Sequence, residues 1–180
     1  MSNSRKTILA ISGSLRENSS NNAVINAVAG MVSDDVDLII YKGLGTLPHF
    51  DDSKAPAAEV LDLRKQLREA DGVLICSPEY AFGVPGVLKN ALDWTVSSGE
   101  FVNKPLALIT AATGGDKAHA SLLLTFQALS ARLSDETKLL IQFVRSKMDD
   151  KGNIKDEATL TAIRAAIDGL VTIINTPVDE

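Results

Sequence analysis

The stretch Asp71–Trp94, DGVLICSPEYAFGVPGVLKNALDW, decides how this chain folds. It begins with the apolar run Gly72–Ser77, which is too short for a helix and typical of a strand buried on both faces. A loop with two prolines and two glycines follows, and apolar residues then recur at helical spacing up to Trp94. In a parallel α/β sheet, the loop at the carboxyl end of such a strand is where ligands bind. An ordinary strand–helix connection is the alternative interpretation.

The composition indicates one globular domain over residues 1–180, since 45% of the residues are hydrophobic and 23% are charged. A net charge of −5 without a Lys/Arg cluster argues against nucleic acid and an anionic membrane as main partners. The single cysteine, Cys76, excludes a disulfide framework and a cysteine-based metal site. The sequence shows no pattern of a signal peptide or a membrane span, so we expect a cytoplasmic location.

A polar loop, residues 12–22, follows the first predicted strand and precedes a helix with one apolar face. Unpaired N–H groups and the positive end of the helix dipole meet at such a helix start and favour an anion. Serine hydroxyls add donors, and Arg16 can hold phosphate through two hydrogen bonds. The loop lacks both G-K-S/T and G-x-G-x-x-G, so a compact phosphate monoester fits better than a triphosphate or pyrophosphate. A capped helix start without a ligand is the alternative.

Strands and helices alternate about five times along the chain, with no repeat and no change in composition. Strands are predicted at Thr7–Ile11, Val36–Tyr41, Gly72–Ser77, Pro105–Ala111 and Thr137–Val144. The pattern predicts a doubly wound α/β three-layer sandwich with a parallel five-stranded sheet in the order 2-1-3-4-5. This order brings the loops after the first, third and fourth strands to one edge of the sheet.

The segment Ala118–Ala131 is apolar on nearly every side of the helix it predicts. Such a helix needs more cover than one face of a sheet provides. An oligomer interface is our preferred explanation, and deep burial within one subunit is the alternative.

The three ligand loops lack the side chains of acid–base or nucleophilic catalysis, and His119 has no evident partner in the sequence. A phosphate site next to flat, stiff walls suits a cofactor that carries out its own chemistry. Flavin mononucleotide (FMN) has this shape, with one phosphate monoester, a flexible chain and a planar ring.

Two motifs resemble those of the NADPH-dependent FMN reductase family. Gly13-Ser14-Leu15-Arg16 with Ser19 and Asn21 is similar to the family's G-S-L-R-x-x-S-x-N phosphate loop. The stretch Pro78–Trp94 is similar to its P-E-Y-x-x-x-V-P-G-x-L-K-N-A-x-D-W motif. The resemblance runs over nearly the whole chain and implies a flavodoxin-like fold with bound FMN.

The resemblance also implies which residues bind the cofactor. The phosphate would be bound by Ser14, Arg16, Ser19 and Asn21. The flavin ring would be lined by Pro78, Glu79, Tyr80, Ala81 and Phe82, with Thr113 and Gly114 nearby as a looser match. Many members have Asn in place of Ala81 and Tyr in place of Phe82, so a side-chain amide is lost here.

The implied activity is a two-step reaction in which NADPH or NADH reduces FMN, departs, and is replaced by a small-molecule electron acceptor. The acceptor would be free flavin, a quinone or a similar compound, and the protein would be a homodimer or homotetramer. No side chain is assigned as catalytic and no metal is expected.

Three other functions share this fold. Quinone, azo-dye or metal-oxyanion reductases would use the same pocket. An electron carrier of the flavodoxin type would lack NAD(P)H turnover, and the Arg16 loop and the apolar segment Ala118–Ala131 argue against it. A phospho-receiver domain is set aside, because Ser12–Ser14 and Ser77–Glu79 stand where its acidic residues and acceptor Asp would be needed.

Overall fold

The computed structural model describes residues 5–53 and 55–177, and within them five strands alternate with five α-helices. The strands are β1 Lys6–Ser12, β2 Val36–Ile40, β3 Gly72–Ser77, β4 Leu106–Ala111 and β5 Lys138–Ile141. The helices are α1 Ser20–Ala29, α2 Ala58–Glu69, α3 Gly86–Asp93, α4 Asp116–Ala128 and α5 Glu157–Asn175. Short 3₁₀ turns cover Leu44–Thr46 and Val144–Lys147.

The described strands form one parallel sheet in the order β2-β1-β3-β4-β5, which confirms the predicted topology. The pairing is in register at the carboxyl edge, where Ser12 lies opposite Cys76 and Ser77 lies opposite Thr110. Strands β1, β3 and β4 therefore end level with one another. The loops that follow these three strands emerge side by side.

The continuous apolar run of β3 is explained by helical layers on both faces of the sheet. Alternate residues point to opposite faces, so Leu74 and Cys76 join one core while Val73 and Ile75 join the other. Helices α1 and α5 complete the first core. Helices α2, α3 and α4 contribute to the second core, in which Phe101 and Phe126 contact each other.

The last strand ends earlier than the sequence predicts. Strand β5 stops at Ile141, and Phe143 adopts a left-handed conformation with φ 51° before a 3₁₀ turn begins at Val144. Strand β4 ends at Ala111, opposite Ile141, so no ladder partner extends farther. The chain after β5 therefore turns back over the carboxyl edge of the sheet.

The α3 motif also fixes the loop after β2. Asn90 and the Trp94 indole both donate to the Pro48 carbonyl, at 3.0 and 2.9 Å. Asn90 Oδ1 accepts from the Phe50 N–H at 2.7 Å, and the Phe50 ring packs edge-on against Trp94. These motif residues thus brace a neighbouring loop.

Candidate active site

The start of α1 presents several hydrogen-bond donors to the cavity. Ser19 is the N-cap residue, and its Oγ accepts from the Asn22 N–H at 3.1 Å, which leaves the hydroxyl proton available. The first turn of a helix has no intrahelical acceptors, so the N–H groups of Ser20 and Asn21 have no helical partners. Ser14 and Ser19 are both buried, and their hydroxyls lie beside this turn. The donor set suits an anion.

Arg16 adds a cation to this helix start. Its side chain is exposed, lines the same cavity and forms no ion pair within the described residues. Its backbone is fixed, because its N–H donates to Ser14 Oγ and its carbonyl accepts from the Asn22 amide. These hydrogen bonds fix the loop backbone at Arg16, while its guanidinium remains exposed and able to contact a ligand.

The Asn21 side chain makes two hydrogen bonds to neighbouring strands that the sequence did not predict. Its side chain is buried; Nδ2 donates to the Ala111 carbonyl at 3.3 Å, and Oδ1 accepts from the Cys76 thiol at 3.2 Å. The side-chain amide therefore links α1 to β3 and β4. The main-chain N–H of Asn21 lies in the first turn of α1, among the donors described above. Burial raises the pKa of the Cys76 thiol, which indicates an unreactive, protonated side chain.

The loop after β3 folds into a tight turn at Tyr80–Gly83. The N–H of each end residue donates to the carbonyl of the other, at 3.0 and 2.9 Å. Ala81 and Phe82 have φ values of 48° and 58°, the pattern of a type I′ turn. The Phe82 ring is 79% exposed, and the Tyr80 hydroxyl lies 3.4 Å from Ser14 Oγ. The turn thus presents aromatic surface beside the phosphate loop.

We predict that Ala81→Asn stabilises the protein by about 0.5–1 kcal/mol, because Asn tolerates the left-handed conformation better than Ala. Ala81→Val is the matched opposite change, since a β-branched residue is disfavoured at positive φ. Thermal unfolding should rank the three proteins Asn, Ala, Val from most to least stable. Equal melting temperatures would show that the turn carries no strain.

Glu79 joins the loops that follow β3 and β4. Its Oε1 accepts from the Gly115 N–H at 3.0 Å and its Oε2 from the Ala118 N–H at 2.9 Å. Helix α4 has no side-chain cap of its own, so this carboxylate from another loop supplies one. Glu79 is therefore engaged in holding Thr113 and Gly114 beside the turn at Tyr80.

A cavity of about 650 Å³ lies along this edge of the sheet. Eight of the eleven predicted site residues line it: Ser14, Arg16, Ser19, Asn21, Pro78, Glu79, Tyr80 and Thr113. The other three, Ala81, Phe82 and Gly114, belong to the same loops but do not line it. The cavity also includes the chain after β5, with Val144, Arg145, Met148 and Asp149, which the sequence did not single out.

The described residues offer little acid–base or metal chemistry. They contain no cluster of three or more His, Cys, Asp or Glu side chains that could hold a metal ion. His119 does have a partner, since its Nδ1 lies 2.9 Å from Thr110 Oγ1, and burial lowers the pKa of its ring. It does not line the cavity.

The donor set fits FMN. Hydroxyls, helix N–H groups and a guanidinium gather at one end of the cavity, as a phosphate monoester requires. Tyr80, from the turn after β3, and Thr113, from the loop after β4, line the same cavity. Ser14 and Ser19 are both buried, whereas most serine side chains are exposed at the protein surface.

Comparisons with known proteins agree with this geometry. The NADPH-dependent FMN reductase family model matches residues 7–144. An NAD(P)H-dependent FMN reductase of Pseudomonas aeruginosa is 30% identical over 172 residues, which cover 91% of this chain and 92% of that protein. A 2-hydroxy-1,4-benzoquinone reductase of a Burkholderia species is 33% identical over 169 residues, covering 89% and 92%.

A solved structure is also similar. The flavoenzyme NAD(P)H:(acceptor) oxidoreductase FerB from Paracoccus denitrificans superposes with a TM-score of 0.79 at 27% identity, covering 94% of this chain and 97% of that one. The family match extends from β1 to the start of the 3₁₀ turn after β5, so it includes all three ligand loops. This chain belongs to the NADPH-dependent FMN reductase family.

Proposed function

We propose that this protein binds FMN in the cavity at the carboxyl edge of the sheet and uses it to transfer electrons from NAD(P)H to a small-molecule acceptor. The observation that carries this proposal is the α1 start, where Arg16 and two buried serines share one cavity with the turn at Tyr80. The family model and relatives named as FMN and quinone reductases support it.

The residues divide into two groups by the part of FMN they would hold. Ser14, Arg16, Ser19 and the Asn21 main chain would hold the phosphate. The ring would lie near Pro78, Glu79, Tyr80, Ala81, Phe82, Thr113 and Gly114. Bound there, FMN would supply the hydride-accepting and electron-donating chemistry. The protein itself would orient the cofactor through fixed donors, since its loops are braced before any ligand arrives.

The nucleotide and the acceptor would use the same exposed surface in turn. The Phe82 ring is mostly open to solvent, and the turn that carries it is held by its own two backbone hydrogen bonds. An open, rigid and largely apolar wall of this kind can take up a nicotinamide or a flat acceptor. A ping-pong order follows if both compete for this one surface.

A quinone or a free flavin is the acceptor class that we infer. Relatives include the quinone reductase of Escherichia coli at 28% identity and an NADH-dependent flavin reductase subunit of Lactobacillus johnsonii at 28% identity. Both kinds of acceptor are flat and conjugated, in keeping with the exposed turn at Tyr80–Gly83. Neither NADPH nor NADH is distinguished by the residues of the cavity.

The test is a visible spectrum of the purified protein, followed by turnover with NADPH and NADH. Free FMN, a quinone and ferricyanide would serve as acceptors. We expect a flavin spectrum and turnover of at least one nucleotide with a quinone or flavin. A yellow protein inert to both nucleotides would instead indicate an electron carrier, and a colourless protein that binds no added FMN would contradict the proposal.

We further propose that α4 forms a homodimer or homotetramer interface. Leu124 is 68% exposed, although Ala118, Leu122 and Phe126 on the same helix are buried. Its exposure argues against deep burial within one subunit. A largely apolar cavity of about 600 Å³ lies beside it, lined by Ala120, Leu123, Leu124, Gln127, Ala131, Leu133 and Lys138. A second copy would cover this surface.

Leu124→Glu should therefore shift the protein to a monomer, because it places a charge in the centre of the apolar surface. Light scattering coupled to gel filtration measures the mass. Leu61→Glu on α2, at a residue 50% exposed, is the control and should leave the mass unchanged. A wild-type monomer, or an oligomer unaffected by Leu124→Glu, would exclude this interface.

No helix in the described residues is long and apolar enough to cross a membrane. We propose a cytoplasmic location, which dependence on NAD(P)H supports because this nucleotide is supplied inside the cell.

A further inference from the structure

A second arginine lines the cavity from the chain after β5. Arg145 is exposed and follows Val144, which is buried and whose N–H donates to the Ala112 carbonyl at 3.2 Å. On the other side of the same strand end, the Asn21 amide donates to the Ala111 carbonyl at 3.3 Å. Only the end of β4 therefore separates the backbone of Arg145 from the first turn of α1.

Two positively charged side chains, Arg16 and Arg145, line the cavity. Neither Arg16 nor Arg145 forms an ion pair within the part of the chain that the structure describes. The two carboxylates of the cavity are engaged elsewhere. Glu79 caps α4, and Asp149 accepts from the N–H groups of Lys151 and Asn153 within its own turn.

The hydrogen bonds around Asp149 favour the charged form of its carboxyl group. They lower the pKa of its carboxyl, with the bonds from Asn153 as the main cause. The turn and the nearby Lys151 thus hold the carboxylate in its charged form, and Arg145 forms no ion pair with it among the described residues. Both guanidinium groups therefore remain available to an anionic ligand.

We propose, on the basis of the proposed function, that Arg145 is a second phosphate-binding residue for FMN, facing Arg16 across the start of α1. A phosphate monoester carries a charge of about −1.5 to −2 near pH 7, more than one guanidinium balances. Two arginines and the helix start match this charge. A phosphate of NAD(P)H is the competing ligand, and the position of Arg145 next to the α1 donors favours FMN.

The experiment measures the affinity of the full-length protein for FMN and for riboflavin, which lacks the phosphate. Flavin fluorescence quenching gives both dissociation constants after the protein has been freed of flavin. Arg145→Ala should weaken FMN binding roughly 10- to 100-fold and leave riboflavin binding unchanged, since only the phosphate contact is lost. Arg145→Lys should recover part of the loss, because it keeps the charge without the two-pronged geometry.

Lys147→Ala is the matched control. Lys147 lies two residues farther along the same segment and faces Asp156 at 3.7 Å, so its removal changes the net charge equally without touching the cavity. It should bind FMN like the wild type. The effect of Arg145→Ala should also be larger at pH 8 than at pH 5, because the second ionisation of the phosphate has a pKa near 6.

Three outcomes would overturn the assignment of Arg145. Wild-type FMN affinity in Arg145→Ala would remove it from the phosphate site, and equal losses for FMN and riboflavin would indicate a structural role. A raised KM for NADPH with unchanged FMN affinity would assign Arg145 to the nucleotide. If Arg16→Ala loses FMN in the same assay, the proposed function stands even though this inference fails; if neither variant loses FMN, both fail.

Discussion

Arg16→Ala is expected to bind FMN roughly 100-fold more weakly than the wild type. Its guanidinium lines the cavity without an ion-pair partner among the described residues, so its full capacity is available to the phosphate. Charge-assisted hydrogen bonds of this kind contribute about 1.5–3 kcal/mol, and each 1.4 kcal/mol is a factor of ten in affinity. The dissociation constant from flavin fluorescence quenching measures the loss.

Two comparisons separate a phosphate contact from a general effect on the protein. Riboflavin should bind Arg16→Ala and the wild type equally well. Arg164→Ala is the control for the loss of one exposed arginine, since Arg164 lies on α5 and donates to the Met31 carbonyl far from the cavity. Retention of FMN at wild-type affinity in Arg16→Ala would refute the assignment of the phosphate loop.

Gly115→Ala is expected to destabilise the protein by about 3 kcal/mol. Gly115 has a φ of 100°, where a side chain is strained by about 1–2 kcal/mol. An added Cβ would also lie 2.9 Å from Leu140 Cδ1 and 3.3 Å from Thr110 Cγ2, and such crowding costs about 1–3 kcal/mol. Urea unfolding of the wild type and the variant measures the difference.

The control for this prediction isolates the backbone contribution. Gly152 also has a positive φ, 86°, but an added Cβ there would meet nothing within 4 Å. Gly152→Ala should therefore cost only about 1–2 kcal/mol. Gly115→Ala should in addition weaken FMN binding, because the Gly115 N–H donates to Glu79. Equal destabilisation by the two substitutions would show that the α4 start is not tightly packed.

The fold follows from the sequence because its signals are local. The apolar run Gly72–Ser77 has the length and flanks of a buried strand, and the structure places β3 at the same residues. The strand order is the common arrangement for this number of units, and it is confirmed. The end of β5 was missed, since it depends on where its neighbour β4 stops pairing rather than on the residues of Thr137–Val144.

Residues that a motif covers lie together in the structure, whereas contacts between distant parts of the chain have no local signal in the sequence. The structure brings the phosphate loop and the turn at Tyr80 together, as expected from three loops at one edge. The cap that Glu79 places on α4 links residues 36 and 39 positions apart, and no local pattern signals it. Arg145, which lines the cavity, directly follows the predicted strand Thr137–Val144, and no local pattern distinguishes it from other exposed arginines.

Asn21 is another residue whose contacts could not be predicted from the motif. The motif marks it as a phosphate-loop residue, yet its amide bonds to Ala111 and Cys76, 90 and 55 positions along the chain. A motif predicts that a residue belongs to a binding site, but it does not predict which atoms of that residue contact the ligand. Here the side chain links α1 to β3 and β4, and under our proposal the main-chain N–H is the group that binds the phosphate.

The central claim is that the α1 start holds the phosphate of FMN, and a crystal structure of the protein grown with FMN tests it most directly. We expect the phosphate within hydrogen-bonding distance of Ser14, Arg16 and Ser19, with the ring beside the turn at Tyr80–Gly83. A phosphate bound elsewhere, or a cavity without FMN at saturating concentration, would contradict the account.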